Sequence, residues 1–316
     1  MSFFPHNNVI NRNPFWGIFI LSVLGPVLFI IYIDNLDKGI SGRLFKFADD
    51  CKIVKSVSDI NGNYELQKDL DRLGGWAESW QIEFNKDKCG VLNVGKNNRN
   101  FIYELEGHWL RSVENKKDLG VIIDNKFKYR DQCIWARNKA NKMLGFIKRN
   151  VSYKSKYVIR SLFNSYVRPH LEYCIQAWQP HHEQDLNMLE SVQRRATKLI
   201  PGLRNKEYKD RLIELKMFSI RYRFLRGDLI EVFKIMHNID SINVETFFEM
   251  RGDNGNRGHN FMIKKQISCK DTRKYSFTHR VVDEWNKLPC RVVDSESLNI
   301  FKNRLDKYII ENYIDA

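Results

Sequence analysis

Apolar residues in the first third of the chain are spaced in two ways, one typical of strands and one typical of helices. Residues 43–55 (RLFKFADDCKIVK) place apolar and β-branched residues on both sides of a short acidic turn, which predicts a β-hairpin. Between residues 64 and 82 the apolar positions recur every three or four residues, which predicts an amphipathic helix; they are Leu66, Leu70, Leu73, Trp76 and Trp80. Short apolar runs at CGVLNVG, FIYEL and LGVIID predict further strands. The first 125 residues are therefore predicted to be mixed α and β.

The pattern in the rest of the chain is mainly helical. Apolar stripes predict four helices, over residues 131–149, 155–167, 186–199 and 220–237. Pro169 is expected to stop the second helix, and Pro201-Gly202 the third. Toward the C-terminus we expect an apolar-basic strand pair at 261–275, a helix around 277–287 and a last helix that begins near Ser297. The predicted fold class is α+β, with a mixed first part followed by a mainly α-helical one.

An apolar segment near the N-terminus allows two interpretations. Residues 15–33 carry no charge, and nineteen such residues are long enough to span a bilayer, which would make this a single-pass membrane protein. Gly25-Pro26 interrupts the segment, and Pro26 suits the first turn of a new helix because its missing N–H would have no partner there anyway. We favour a buried helix that runs from Pro26 to about Asp37, and keep the membrane anchor as the alternative.

The charge of the chain points to a polyanionic partner. A net charge of +14 and a pI near 9.4 favour nucleic acid over a membrane surface. Part of the surplus lies between residues 194 and 226, where eleven basic residues face few acids: Arg194, Arg195, Lys198, Arg204, Lys206, Lys209, Arg211, Lys216, Arg221, Arg223 and Arg226. They predict either a phosphate-contacting surface or the solvated face of charged helices.

The six cysteines are scattered and include no Cys-x-x-Cys pair. This spacing argues against a zinc ribbon and against the disulfide framework of a small secreted protein. A reducing environment fits best, so the expected location is intracellular, in the cytoplasm or the nucleus.

Asp49 and Asp50 are the residues with the most distinctive chemistry. They are adjacent carboxylates in the turn of the predicted hairpin, within the segment Phe47-Ala48-Asp49-Asp50. Paired hard oxygen ligands of this kind are what a two-metal phosphoryl-transfer site needs. Neighbouring carboxylates also repel each other unless a cation lies between them. On its own the pair is weak evidence, because Asp-Asp is common in solvated turns.

Several segments, in the same order along the chain, resemble the reverse transcriptases of non-LTR retrotransposons, the LINE-type polymerases of the jockey and CR1 kind. The stretch 22–36 resembles the segment that follows the Pro-Gln-Gly-Ser turn of that family, and 47–50 its catalytic carboxylate hairpin. Residues 66–96 resemble the next palm helix and strand, and 117–124 the primer-contacting hairpin. Residues 226–235 and 281–309 resemble the C-terminal region of the family.

The resemblance implies a domain organisation: a partial palm over residues 22–125, a basic, thumb-like helical region over 126–250 and the C-terminal region of the retroelement polyprotein over 251–316. It implies an RNA template and a DNA primer as partners, and Mg²⁺ as the cofactor of the intact family. The roles that it implies fall on these residues: Asp49 and Asp50 as catalytic metal ligands, Lys88 near the incoming triphosphate, Leu119, Gly120 and Val121 near the primer end, and Arg194, Arg195, Lys198, Arg221 and Arg223 on nucleic-acid phosphates.

The sequence departs from the family pattern before Ser22. Phe19, Ile20 and Leu21 stand where the family has Pro, Gln and Gly, and residues 1–21 contain no acid, so they resemble a leader foreign to the family. The strand that carries the first catalytic aspartate, and the fingers before it, are not recognisable. We therefore expect an N-terminally truncated polymerase fragment with an incomplete catalytic centre. The alternatives are a residual nucleic-acid-binding module without catalysis and the membrane protein anchored by residues 15–33.

Overall fold

The structure is a computed structural model that describes residues 24–57, 59–95, 98, 100–252 and 258–314. These residues fall into two units. Unit 1 contains the described residues up to Lys116 together with Asp124–Lys126, and unit 2 contains Lys117–Ile123 and the described residues from Phe127 onward. The hairpin at residues 115–124 therefore contributes residues to both units.

Unit 1 combines two helices with short strand pairs. Its helices are α1 (Gly25–Tyr32) and α2 (Ile60–Ser79). Its strands are β1 (Arg43–Phe47), β2 (Asp50–Val54), β3 (Gly90–Leu92), β4 (Glu104–Leu105), β5 (His108–Trp109) and β6 (Arg111–Val113). The pairs β1–β2 and β4–β5 are antiparallel, whereas β3 and β6 are parallel. The predicted hairpin and the predicted amphipathic helix are both confirmed, and Leu70 and Leu73 of α2 lie in the core.

Asp69 of α2 fixes the two ends of the β1–β2 hairpin. Its fully buried carboxylate accepts hydrogen bonds from the backbone N–H groups of Ser41 and Gly42, both at 2.9 Å, and from the Ser41 hydroxyl at 2.8 Å. Lys55 Nζ lies 3.5 Å from it and Arg72 3.2 Å. Burial opposes the charge of Asp69, but these hydrogen bonds and Lys55 together hold its pKa below the ordinary value. Ser41 and Gly42, just before β1, and Lys55, just after β2, therefore all contact the Asp69 carboxylate.

Unit 2 is mostly helical. The strands β7 (Asn115–Asp118) and β8 (Val121–Asp124) form the hairpin that leads into it. Its helices are α3 (Arg130–Asn150), α4 (Lys156–Leu162), α5 (Arg168–Glu172), α6 (Ile175–Trp178), α7 (Glu183–Thr197), α8 (Tyr208–Leu215), α9 (Ile220–Met236), α10 (Asp271–Lys274), α11 (Phe277–Arg280), α12 (Val282–Asn286), α13 (Cys290–Val293) and α14 (Leu298–Ile309). Ser297 caps α14 by accepting a hydrogen bond from the Ile300 N–H, as its position in the sequence predicts.

Helix α9 belongs to both apolar cores of unit 2. Its first turns contribute Ile220 and Phe224 to a core that also contains Trp178, and its later turns contribute Phe233 to a second core around Trp285. Between these two stretches, Asp228 forms a buried ion pair with Arg280 of α11, with N–O distances of 2.8 and 3.0 Å. A pair of this kind is tolerated in an apolar interior because each partner neutralises and hydrogen-bonds the other.

Three sequence expectations are wrong. Pro169 does not stop a helix, because a π-helical turn at Phe163–Val167 precedes it and α5 continues through it. Such a turn changes the hydrogen-bond spacing, and a proline in the first turn of α5 needs no N–H partner. The strand pair at 261–275 is reduced, in the described part of this region, to one bridge between Met250 and Ile263. Helix α1 is not buried: Val27, Leu28, Ile30 and Ile31 are exposed within unit 1.

The proposed membrane anchor falls partly outside the described residues, at 15–23. Its described part contains α1, which has eight residues. Throughout the part of the chain that the structure describes, no helix combines the length and the apolar character needed to cross a membrane.

Replacement of Asp69 by Ala is expected to lower the free energy of unfolding of unit 1 by about 3 kcal/mol, because it removes the buried carboxylate that accepts hydrogen bonds from the N–H groups of Ser41 and Gly42 and pairs with Lys55. Since the pKa of Asp69 is lower in the folded state, its contribution is complete above the unfolded value of about 4 and is lost as the pH falls below it. The difference between wild type and Asp69→Ala should therefore shrink between about pH 4 and pH 2. Denaturant-dependent hydrogen exchange of peptides from α2 measures the free energy of unfolding of both proteins at each pH.

The matched control is Asp71→Ala, two residues along the same helix, where the side chain is exposed and bonds to Gln67. We expect this variant to unfold within about 0.5 kcal/mol of wild type. Equal losses for the two variants would contradict the anchoring role of Asp69.

Candidate carboxylate site and nucleic-acid surface

Asp49 and Asp50 lie at the tip of the β1–β2 hairpin. Phe47 pairs with Asp50, so Ala48 and Asp49 form a two-residue turn, and Asp50 is the first residue of β2. Ala48 has a φ of +49°, a left-handed conformation in which a residue with a Cβ is strained. Asp50 is exposed and Asp49 is half-buried. The hairpin thus presents two adjacent carboxylates at one accessible end.

Lys46 ties this hairpin to the segment after α1. Its ammonium donates hydrogen bonds to the carbonyl groups of Ile33 at 3.2 Å and Asp34 at 2.7 Å, and it lies 3.0 Å from Asp37 Oδ1. The hydrogen bond from Lys46 is the main reason why the pKa of Asp37 lies below its ordinary value. Asp37 is therefore already paired with a cation inside unit 1.

Cys51, the residue after the carboxylates, is a core residue. Burial raises the pKa of its thiol to about 11, so the thiol is protonated at neutral pH. A protonated, buried thiol is neither a nucleophile nor a metal ligand. The chemistry of the hairpin tip therefore depends on Asp49 and Asp50.

The hairpin tip has ligand chemistry that suits Mg²⁺. Carboxylate oxygens suit this ion, which prefers six oxygen ligands in an octahedron. Among the described residues, however, no three His, Cys, Asp or Glu side chains come together as a metal site would require. The metal-binding and catalytic roles of Asp49 and Asp50 therefore stay predictions.

Lys88 lies in a separate, well-ordered turn. The turn Lys86–Lys88 is a short 3₁₀ helix, and the side chain of Asn85 caps it by accepting a hydrogen bond from the Lys88 N–H at 3.2 Å. The Lys88 side chain is exposed. Within the described residues, no hydrogen bond or ion pair connects Lys88 with Asp49 or Asp50, so its role toward a triphosphate stays a prediction.

The predicted primer-contacting residues form the tip of the β7–β8 hairpin. Leu119 and Gly120 have φ values of +45° and +87°, as a two-residue type I′ turn requires. The hydroxyl of Tyr173 donates a hydrogen bond to the Leu119 carbonyl at 2.9 Å. Leu119 is exposed, whereas Val121 packs in the first core of unit 2. The tip is thus held on the α5–α6 connection with Leu119 facing solvent.

The five predicted phosphate-contacting residues divide into two groups. Arg194, Arg195 and Lys198 are exposed together at the C-terminal end of α7. Arg221 and Arg223 lie on α9 and are engaged in ion pairs. The partner of Arg221 is Glu183.

Arg223 makes two hydrogen bonds to the Glu172 carboxylate, at 2.8 and 2.7 Å, and only 19% of its side chain is exposed. The role of all five residues toward nucleic acid stays a prediction, but their surroundings differ. In the α7 group, Arg195 donates hydrogen bonds to Asn141 and to the Ser191 carbonyl, but none of the three residues forms an ion pair with a described carboxylate. Arg223, by contrast, links α9 to α5.

The chain is similar to the RNA-directed DNA polymerase from mobile element jockey of Drosophila melanogaster. The two are 24% identical over an alignment of 196 residues, which covers 57% of this chain and 21% of that polymerase. The match therefore spans about one fifth of the length of the curated relative. No protein-family model and no solved structure matches the chain. The similarity supports a relation to non-LTR retrotransposon reverse transcriptases, which agrees with the resemblance of the sequence motifs.

Replacement of Gly120 by Ala is expected to destabilise unit 2 by about 2 kcal/mol or more, because the residue needs a positive φ and its new Cβ would lie 3.2 Å from the Tyr173 ring. Gly202→Ala is the matched control, since Gly202 has a similar φ of +82° but no atom within 4 Å of such a Cβ. This control should lose about 1 kcal/mol. Urea unfolding measures both, and equal losses would mean that the Tyr173 contact does not hold the tip.

Proposed function

We propose that this chain supplies part of an RNA-directed DNA polymerase of a non-LTR retrotransposon. In this proposal unit 1 contributes the carboxylate hairpin of a reverse-transcriptase palm, and unit 2 contributes helices that bind nucleic acid. The observation that carries the proposal is the Asp49-Asp50 pair at an accessible hairpin tip, in a chain similar to the jockey polymerase.

The position of the carboxylates suits phosphoryl transfer. A hairpin held by Asp69 and Lys46 places Asp49 and Asp50 at an ordered, solvent-accessible point, and pre-organised groups lower the reorganisation needed at a reacting phosphate. Mg²⁺ would neutralise phosphate charge in an intact enzyme of this class. Because no group of three His, Cys, Asp or Glu side chains is found at Asp49 and Asp50 among the described residues, we propose that this chain does not catalyse polymerisation alone.

The corresponding experiment is primer extension by the purified chain on an RNA template with a DNA primer, with Mg²⁺ or Mn²⁺. We expect no product above that of an Asp49→Ala/Asp50→Ala variant, because two carboxylates do not hold the metal ions that the reaction needs. Extension by the wild-type chain that disappears in Asp49→Ala would contradict the incomplete centre, and would establish these residues as catalytic.

A second candidate function, nucleic-acid binding without catalysis, rests on the exposed cations of unit 2. The cluster Arg194, Arg195 and Lys198 lies within two turns at one end of α7. When cations of this kind contact phosphates, they release the counterions bound to the nucleic acid, which favours binding. Such binding weakens steeply as salt concentration rises. It needs neither metal ions nor the carboxylate hairpin.

The triple variant Arg194→Ala/Arg195→Ala/Lys198→Ala should bind an RNA–DNA hybrid with a salt slope (log K against log salt concentration) shallower by about 2 to 3. Fluorescence anisotropy between 50 and 200 mM salt measures the slope. The contrasting variant Arg221→Ala/Arg223→Ala removes cations already paired with Glu183 and Glu172, so it should lower stability and leave the slope within about 1 of wild type. A salt-independent signal from the wild-type chain would contradict electrostatic binding.

A further inference from the structure

A forty-residue segment of unit 2 carries basic residues and no acidic ones. Residues 132–171 contain nine Lys and Arg residues and no Asp or Glu. The basic residues are Arg137, Lys139, Lys142, Lys148, Arg149, Lys154, Lys156, Arg160 and Arg168. The segment covers nearly all of α3, all of α4 and most of α5, so these residues lie on ordered helices.

The solvent side of α3 carries basic and aromatic residues in one line. Trp135, Lys139, Lys142, Phe146 and Arg149 follow one another at spacings of four, three, four and three residues. On an α-helix these spacings keep the five side chains within an arc of about 80° and spread them over about 21 Å. The opposite side of α3 packs in the core through residues such as Cys133, Ala136, Ala140 and Ile147.

Further aromatic and basic residues follow directly after α3 in the sequence. The connection to α4 contains Tyr153 and Lys154, and Tyr157 lies in the first turn of α4. The connection is ordered at its end, because the hydroxyl of Ser155 accepts a hydrogen bond from the Val158 N–H at 3.2 Å and caps α4. We call the set Lys139, Lys142, Phe146, Arg149, Tyr153, Lys154 and Tyr157 the aromatic–basic ridge.

The aromatic residues of the ridge are unusually exposed. Phe146 is 56% exposed, Tyr153 76% and Tyr157 80%. A solvated helix face explains lysines and arginines, but it does not explain three large rings directed at water. Their exposure is the observation that separates this surface from the charged faces of other helices.

The cations of the ridge have few competing partners. Within the described residues, no carboxylate lies within ion-pair distance of Lys142, Arg149 or Lys154. By contrast, neighbouring Lys156 pairs with Glu214. At the start of the line, the ammonium groups of Lys117 and Lys139 lie 4.9 and 4.2 Å from the centre of the Trp135 ring, which holds two more cations in place. The ridge is therefore a positively charged surface with rings between its charges.

We infer that the aromatic–basic ridge binds single-stranded nucleic acid, with bases stacked on Phe146, Tyr153 and Tyr157 and phosphates contacted by Lys142, Arg149 and Lys154. Exposed rings can stack only on bases whose faces are free, which single strands offer and duplexes do not. Interleaved rings and cations match a chain that carries alternating bases and phosphates. The inference rests on the proposed nucleic-acid binding of unit 2, and adds the strandedness of the ligand and the residues that recognise it.

The test uses the full chain and fluorescence anisotropy with three probes: a single-stranded RNA, a single-stranded DNA of the same sequence, and the hybrid of that RNA with its complementary DNA strand. Phe146→Ala/Tyr153→Ala/Tyr157→Ala should bind both single strands at least about tenfold more weakly, because each stacked base contributes measurably to affinity. It should bind the hybrid within twofold of wild type. The difference between the RNA and DNA probes identifies the preferred strand.

Two further variants separate stacking from charge. Tyr153→Phe/Tyr157→Phe keeps both rings and should bind single strands as wild type does. Lys142→Ala/Arg149→Ala/Lys154→Ala should reduce the salt slope on single strands by about 2, since each phosphate contact on a single strand accounts for about 0.7. Trp109→Ala, at an exposed aromatic residue of unit 1, is the matched control and should change nothing.

The outcomes show whether a failure concerns the ridge alone or also the proposed nucleic-acid binding of unit 2. Unchanged single-strand affinity in the aromatic variant, with circular dichroism showing a folded chain, would overturn the ridge while leaving hybrid binding by the α7 group intact. Equal weakening on single strands and hybrid would also overturn it, because stacking would then not be the basis of recognition. If the wild-type chain binds none of the probes at low salt, both the ridge and nucleic-acid binding by unit 2 fail.

Discussion

The ion pair between Asp228 and Arg280 is the interaction on which the helical unit depends. Helix α9 contributes to both apolar cores of this unit, and Asp228 lies on it between the residues that enter one core and those that enter the other. The guanidinium of Arg280 also donates hydrogen bonds to the carbonyl groups of Ile175, Gln176 and Tyr275. Two buried charges that neutralise each other thereby connect α6, α9 and α11. Two further ion pairs join α9 to neighbouring helices: Arg223 pairs with Glu172 of α5, and Arg226 pairs with Asp306 of α14.

This arrangement explains why a chain with so large a positive charge leaves only some of its cations for a ligand. Arginines on α9 are used to join helices, and each meets a carboxylate far away in sequence. The aromatic–basic ridge lies in a segment without acids, and the α7 cluster forms no ion pair with a described carboxylate. Both lie on helices whose opposite faces are apolar and packed. Basic composition alone therefore overstates the surface available to nucleic acid, and the pairing of individual residues decides which part of it remains.

The local elements were largely predictable from the sequence, and the long-range contacts were not. The turn with Asp49 and Asp50, the helix around Leu70 and the cap at Ser297 follow from patterns within a few residues. The burial of Asp69 depends on Ser41 and Gly42, almost thirty residues earlier, and no periodicity reports such a partner. The exposure of α1 was missed because a run that is apolar on all sides does not reveal which side is covered. For the ridge a signal was present: Phe146 lies off the apolar stripe of its helix, and forty residues lack an acid.

The π-helical turn at Phe163–Val167 has a consequence for rotational phase. Ile159, Phe163, Val167 and Leu171 are all buried, although they are four residues apart and an α-helix advances about 40° beyond a full turn with each such step. Over three steps a regular α-helix would rotate the last residue by about 120° relative to the first. The wider turn takes up this excess, so one straight apolar line extends from α4 through α5. Without one residue of the turn, Ile159 and Leu171 would be eleven steps apart, which a regular α-helix covers in about 1,100°, close to three full turns. The π-helical turn therefore accommodates one extra residue while α5, and Tyr173 after it, keep the direction that the contact with the hairpin tip requires.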